Sequence, residues 1–331
     1  MNIRSSLFLP LEEEQLRAIV RELLHTEPIE YRLLSGGLFN TTYFVKAADC
    51  GEVILRAGPV NRRLLLHFEA DMMAAEAIVY RLLAAHGLPC SELLAVDTSK
   101  TLIDRDLMIV RYLPSVTYQL NRADYTYPPE DVARLYSELG ENVAKLHALR
   151  GEAFGHVFDV AEGRGHTRWS DFLCDELERL LKTCAPYDLF DESMTAHMRE
   201  ILRRYAPLLD EITEPRFIHA DLGPNNLLIH ADRPAFAAVI DADRAMWGDP
   251  DFDFAYMEWM FCDELWQGYG RSLATDDAST CRRLIYRMIR FVCNAYVWEV
   301  EYNRHDLMLA TREEIGRLIE RLKYRMKDAF S

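Results

Sequence analysis

The sequence predicts an α+β protein with a β-rich N-terminal lobe and a mostly helical C-terminal lobe. Three observations carry this. Strand-like texture, β-branched and aromatic, is concentrated before about residue 113. From about residue 129 apolar residues recur at helical spacing. The chain has 331 residues, of which 50% are hydrophobic, enough to bury two cores. The expected division is residues 1–112 and 113–331, joined near 111–115.

Residues 10–25, PLEEEQLRAIVRELLH, place Leu16, Ile19, Val20, Leu23 and Leu24 on one helical face, with Pro and three Glu at the start. TTYFVKA (41–47) and EVILRA (52–57) read as strands, and ADCG between them as a hairpin turn. Residues 64–86 read as helix, ended by Gly87 and Pro89. DLMIVRYL (106–113) is a strand that Pro114 stops. Helices follow near 129–149, 168–183 and 193–210, then a short strand pair near 217–240. Two long helices close the chain, near 279–302 and 311–327, the second with Ile315, Leu318, Ile319 and Leu322 on one stripe.

The formal charge is −15, from 53 acidic and 38 basic residues. That balance argues against a nucleic-acid partner, which needs clustered Lys and Arg. Seven scattered Cys without a C-x-x-C pair predict reduced thiols. The apolar run at the N-terminus is too short for a signal peptide, and no segment has the length to span a bilayer. A soluble cytoplasmic protein is expected, with no membrane partner. The oligomeric state stays open.

The chemistry concentrates in FIHADLGPNNLLIH, residues 217–230. Asp221 and Asn226 stand on a loop between two apolar strands. From there an Asp can take a proton from a hydroxyl, and an Asn amide oxygen can hold a divalent cation. Downstream, AVIDADRAMWGDPDFD sets Asp241 at the end of a buried strand, where a carboxylate is costly unless a cation meets it. A base and two oxygen ligands for Mg²⁺ are what phosphoryl transfer from a nucleotide needs.

These stretches resemble the aminoglycoside phosphotransferases and the choline kinase-like small-molecule kinases, whose catalytic loop commonly reads H-G-D-x-x-x-x-N. HADLGPNNLL is most similar to the hygromycin phosphotransferase type. The resemblance implies a bilobal protein-kinase-like fold, with ATP or GTP and Mg²⁺ as cofactors. It makes Asp221 the catalytic base, Asn226 and Asp241 the metal ligands, and His219 a brace for the loop. Asp249 and Asp253 correspond to acids that hold loop backbone. SGGLFNTT supplies phosphate cover, through Ser35, Gly36, Gly37, Asn40 and Thr41. Arg56 stands where protein kinases carry Lys, and suits a bidentate phosphate contact. Its acidic partner is Glu69 or Glu76, seven apart on one helical face. The run EAIVYRLLAAHGLP favours Glu76 by resemblance. Arg111, Tyr112 and Leu113 match the hinge whose backbone meets the nucleotide base.

The acceptor implied is a cationic small molecule, an aminoglycoside or aminocyclitol, with a role in antibiotic resistance. Asp243, Glu258, Asp263, Glu264 and Glu299 are candidates for an acidic acceptor pocket. Trp169, Tyr256, Trp259, Trp266, Tyr296 and Trp298 are candidate walls. The alternative acceptor is an amino alcohol, sugar or natural product of metabolism. Where the family usually has an aromatic and then an acid after the metal-binding Asp, this chain reads Ala242, Asp243, Arg244. On a continuing strand Asp243 would share a face with Asp241. The short interval between IDAD and GDPDFD leaves no room for the activation segment of a protein kinase. The rival outside enzymes is a catalytically dead nucleotide-binding module.

Overall fold

A five-stranded antiparallel sheet, in the spatial order Pro28–Leu33, Thr41–Ala47, Gly51–Ala57, Leu107–Arg111 and Leu93–Asp97, organises the N-terminal part of the chain. The computed structural model describes residues 5–34, 39–118 and 127–329, without the side chains of residues 259 and 326–329. The strands are β1 (Pro28–Leu33), β2 (Thr41–Ala47), β3 (Gly51–Ala57), β4 (Leu93–Asp97) and β5 (Leu107–Arg111). Period-2 alternation along β3 sends Val53, Leu55 and Ala57 to one face, against Leu16, Ile19 and Val20 of helix α1 (Glu13–Leu24). The opposite face carries Ile54 and Arg56. There Met108 and Val110 of β5 pack on Met73, Ala77 and Tyr80 of helix α2 (Met72–Ala85). The faces of β3 therefore decide that Arg56 reaches α2.

Helix α2 is shorter than the periodicity of residues 64–86 predicts. Residues 62–64 and 69–71 form 3-10 turns, and the Glu69 carboxylate folds back to accept the Leu66 N–H at 2.9 Å. Two further strands, β1 and β4, carry too little alternation to be read from sequence.

The chain divides into two compact units, residues 1–126 with 224–243, and residues 127–223 with 244–331. The expected boundary at 112/113 therefore gives way to three crossings. The cause is sheet pairing: β6 (Ser115–Thr117) bonds to β9 (Leu227–His230), which pairs with β10 (Phe236–Val239), so the hairpin belongs with the N-terminal residues.

The second unit is mainly helical: α3 (Pro129–Ala148), α4 (Val157–Ala161), α5 (Trp169–Cys184), α6 (Glu192–Leu209), α7 (Asp251–Phe254), α8 (Asp263–Tyr269), α9 (Asp277–Tyr296) and α10 (His305–Ala329). A small sheet, β7-β11-β8, joins Gly155–His156, Met246–Gly248 and Arg216–Ile218. The last two helices differ from expectation. Helix α9 closes in a π-turn at Val297–Glu301, and Asn303 at φ 51° breaks the run before α10 begins at His305. All seven Cys are free thiols. Among the described residues no helix is long and apolar enough to cross a membrane.

Candidate active site

In the first unit, β3 and α2 bring two opposite charges into a dry place. Arg56 Nη1 donates to Glu76 Oε1, and Arg56 Nη2 meets Asp241 Oδ1 at 2.6 Å. The side chains of Arg56 and Glu76 are 9% and 2% exposed, so neither charge is tolerable without the other. Burial pushes the Glu76 carboxyl above the ordinary range, while Arg56 pulls it back. Burial also works to lower the Arg56 value, yet Glu76 and Asp241 together raise it well above the usual one. The choice between the two glutamates is thereby resolved in favour of Glu76, since the Glu69 carboxylate is spent on Leu66.

Asn226 and Asp241 stand at the same end of the β9–β10 hairpin. Leu227 pairs with Val239, and the next residues are tied by Ile240 N–H to Asn226 C=O at 2.9 Å. Asp241 takes a left-handed φ of 59°, a conformation Asp tolerates better than most residues. An amide oxygen and a carboxylate at one hairpin end are hard oxygen donors, of the kind that suit Mg²⁺. The strand does not continue past this point. Residues 242–244 form a 3-10 turn, so the expected strand-face placement of Asp243 beside Asp241 does not hold, although its charge still acts on Arg56.

In the second unit, the loop at Asp221 is fixed by its backbone. Asp253, buried at the end of the GDPDFD run, accepts the His219 N–H at 2.9 Å and the Ala220 N–H at 2.7 Å. Ala220 is thereby held at φ 64°, in the left-handed region. His219 is buried, and its Nδ1 accepts the Asp221 N–H at 3.3 Å, which suits a brace. Behind Asp253 stands a residue the sequence reading missed. His147 Nε2 lies 3.0 Å from the Asp253 carboxylate, and His147 Nδ1 lies 2.9 Å from the Tyr269 hydroxyl. Asp249 accepts from the Tyr286 hydroxyl at 2.7 Å and from the Asp251 N–H, and so opens α7.

A second missed residue touches Asp221 itself. Arg290, on α9, donates from Nη2 to Asp221 Oδ1 at 2.7 Å. No local pattern signals it, because a helix interior and a loop meet there only through tertiary packing.

Other expected site residues lie elsewhere or are already occupied. Ser35, Gly36 and Gly37 fall outside the described residues. Asn40 is buried with its amide oxygen unpaired among the described residues. Thr41 is not available to a phosphate: its hydroxyl donates to Leu9 C=O and accepts from Arg105 Nη2 at 2.7 Å. The Arg111 N–H is taken by Glu92 C=O and the Tyr112 N–H by Glu52 C=O. Of the three hinge amides, only that of Leu113 lacks an acceptor among the described residues.

Of the expected acceptor acids, two already have partners. Glu258 is exposed and pairs with Arg287 at 2.9 Å, and Glu299 pairs with His305 at 2.9 Å. Asp263 is exposed and Glu264 half-buried, both in the first turn of α8. Two of the aromatic candidates, Trp169 and Tyr296, are core, while Tyr256, Trp266 and Trp298 are half-buried. Trp169 is fully buried with its indole N–H on the Tyr286 hydroxyl, Tyr296 is buried, and Trp266 packs in a cluster with Phe254, Phe261 and Tyr269.

Residues 30–288 match the profile of a family described as "Phosphotransferase enzyme family". The chain belongs to that family. Asp221, Asn226 and Asp241 all lie within the matched span. Solved structures of related fold include a thermostable mutant of aminoglycoside phosphotransferase APH(4)-Ia in ternary complex with ADP and hygromycin B. It is 19% identical, with TM-score 0.65 over 91% of this chain and 96% of that one. A putative fructosamine-3-kinase from Thermobifida fusca is 18% identical, with TM-score 0.63 over 91% and 98%. The GDP and kanamycin complex of an APH(2") enzyme is 17% identical, with TM-score 0.60 over 96% and 99%. At these identities the likeness is one of fold. Acyl-CoA dehydrogenase family member 10 of Mus musculus is 23% identical over 261 residues, 77% of this phosphotransferase but 22% of that protein. The chain thus spans about a fifth of the length of that curated relative.

Proposed function

We propose that the protein transfers the γ-phosphoryl group of ATP or GTP to a hydroxyl of a small molecule. The observation that carries this is the loop at Asp221, held by Asp253 through two backbone N–H groups, and followed in sequence by Asn226 and Asp241 at one hairpin end. Asp221 orients the acceptor hydroxyl and receives its proton as the acceptor oxygen bonds to the γ-phosphorus. The bond from that phosphorus to the β–γ bridging oxygen breaks, and the nucleoside diphosphate leaves. Asn226 and Asp241 would hold Mg²⁺, which when bound supplies positive charge against the phosphates. Arg56, kept charged and straight by Glu76, clamps the non-transferred phosphates. Ser35, Gly36 and Gly37 are the residues expected to meet those phosphates, and the Leu113 N–H is offered to the base.

For the acceptor, two readings compete. An aminoglycoside or aminocyclitol, with a resistance role, draws support from kinship of fold. An acceptor from metabolism draws support from the partners that Glu258 and Glu299 already have, Arg287 and His305, which weakens a polycation pocket. A thermal-shift panel of aminoglycosides, amino alcohols, sugars and hydroxy acids, with and without Mg-nucleotide, decides between them. A ligand that binds the native state raises the melting temperature by mass action. Phosphorylated product from any acceptor, dependent on Mg-nucleotide, is the expected result. No nucleotide-dependent shift and no product would overturn the proposal.

A further inference from the structure

We propose that the acceptor carries an anionic group close to the hydroxyl that is phosphorylated, and that Arg290 binds it. The inference rests on the reading of Asp221 as the base. Its starting point is that a residue paired with Asp221 is a cation. Arg290 Nη2 sits 2.7 Å from Asp221 Oδ1, with the arginine side chain 15% exposed. A hydroxyl delivered to Asp221 therefore arrives beside a guanidinium.

Arg290 is built in rather than draped over the surface. Its guanidinium lies over the Tyr256 ring, 5.8 Å from the centroid, and the Tyr256 hydroxyl is anchored on Tyr286 C=O at 2.7 Å. Of its three nitrogens, only Nη2 has a hydrogen-bond acceptor among the described residues. A planar fork with donors to spare matches a carboxylate or phosphate group of a ligand. An ammonium at the same place would meet like charge, at a cost in affinity.

The neighbouring cations point the same way. Arg283, Arg287 and Arg290 recur at helical spacing along α9. Arg283 meets Asp251 at 2.6 Å and Arg287 meets Glu258 at 2.9 Å, so these two are each matched by an acid with a structural place. Asp251 opens α7, and Glu258 lies in a short 3-10 turn. Arg290 is the member of the row whose partner is the base itself. Positive charge beside the base, with Glu258 and Glu299 already matched, selects a hydroxy acid or a phosphorylated alcohol over an amino-sugar.

The test uses the full chain with Mg-ATP and Mg-GTP and a matched series of acceptors. For each chain length from two to five carbons, the hydroxy acid, its primary amide and the amino alcohol are compared by kcat/KM. Phosphorylated alcohols and kanamycin complete the panel and separate a carboxylate from a phosphate and from a polycation. The wild-type protein is expected to favour an anionic acceptor over its uncharged analogue by about tenfold or more, the worth of one charge-assisted hydrogen bond. In Arg290→Gln that preference is expected to fall close to one through a rise in acceptor KM, with nucleotide KM unchanged. Arg290→Lys should keep part of it.

Best turnover of amino alcohols or kanamycin, or failure of every anionic acceptor, would overturn the inference. So would an Arg290→Gln variant that loses activity equally on all three acceptor types, which would make Arg290 a structural rung. The wild-type ranking alone is decisive should the variant not fold. Failure to bind Mg-nucleotide in calorimetry is a different result, and brings down the phosphotransfer reading on which the inference stands.

Discussion

Arg56 and Glu76 illustrate how a charge is kept in a dry place. Each is carried by an element whose face is set by hydrophobic alternation, and each is the other's reason to be ionised. Arg56→Met would leave Glu76 buried without its cation. Breaking a buried pair at one end costs about 3–5 kcal/mol, so urea unfolding should show a loss of that size along with weaker nucleotide binding. The thiols test burial in the same residue-by-residue way. Cys184, Cys281 and Cys293 are buried, whereas Cys50, Cys90, Cys174 and Cys262 are partly exposed. A thiol reagent at neutral pH should label only members of the second group until the chain unfolds. Burial pushes the Cys184 thiol from 9.0 up to about 12. A group raised in the folded state contributes fully below its unfolded value, and its contribution fades as pH climbs towards the folded one. Wild-type stability should therefore fall between about pH 9 and 12 relative to Cys184→Ala, a slope that urea melts at stepped pH would read.

At the scale of elements, the position of the Asp221 loop depends on how closely α3 and α8 approach. A Cβ on Gly140 would lie 2.2 Å from Leu265 C=O, and one on Gly268 would lie 2.0 Å from Ser137 C=O. The obstructing atoms are backbone, so the helices must part to admit even a methyl group. His147 ends α3 and Tyr269 ends α8, and both lie on the chain of contacts to Asp253 and so to the loop. Gly140→Ala or Gly268→Ala should cost about 3 kcal/mol or more, at the upper end for overpacking. Turnover should drop with little change in nucleotide KM, because the damage reaches the second unit's loop and not Arg56. Unchanged melting temperature in both variants would refute this packing argument.

Elements also mark where the sequence was legible. Helix α1 and strands β2, β3 and β5 announce themselves by strong alternation and by their turns. The motif 217–253 was legible because Asp221, Asn226 and Asp241 stand close together along the chain, between apolar strands. What escaped was set by partners far apart in sequence. Glu69 breaks the start of a helix by reaching back to Leu66, Thr41 is claimed by Arg105, and Arg290 finds Asp221 from a distant helix. The acid-rich helices misled for the same reason. Glu258 and Glu299 read as pocket lining only while Arg287 and His305 go uncounted.

For the molecule as a whole, family membership and fold place the protein among phosphotransferases, and the claim to defend is that Asp221 and Asp241 divide the work of one reaction. Mg-nucleotide at 100 times its Kd should stabilise the wild-type chain by about 2.7 kcal/mol, and EDTA should remove most of that gain. The most direct test measures two quantities, phosphoryl transfer and Mg-nucleotide affinity, in Asp221→Asn and Asp241→Asn beside wild type. In Asp221→Asn, transfer should fall by about a hundredfold or more while Mg-nucleotide affinity stays near wild type. In Asp241→Asn both should fall together. Wild-type transfer rates in Asp221→Asn, or full Mg-nucleotide affinity in Asp241→Asn, would contradict the account.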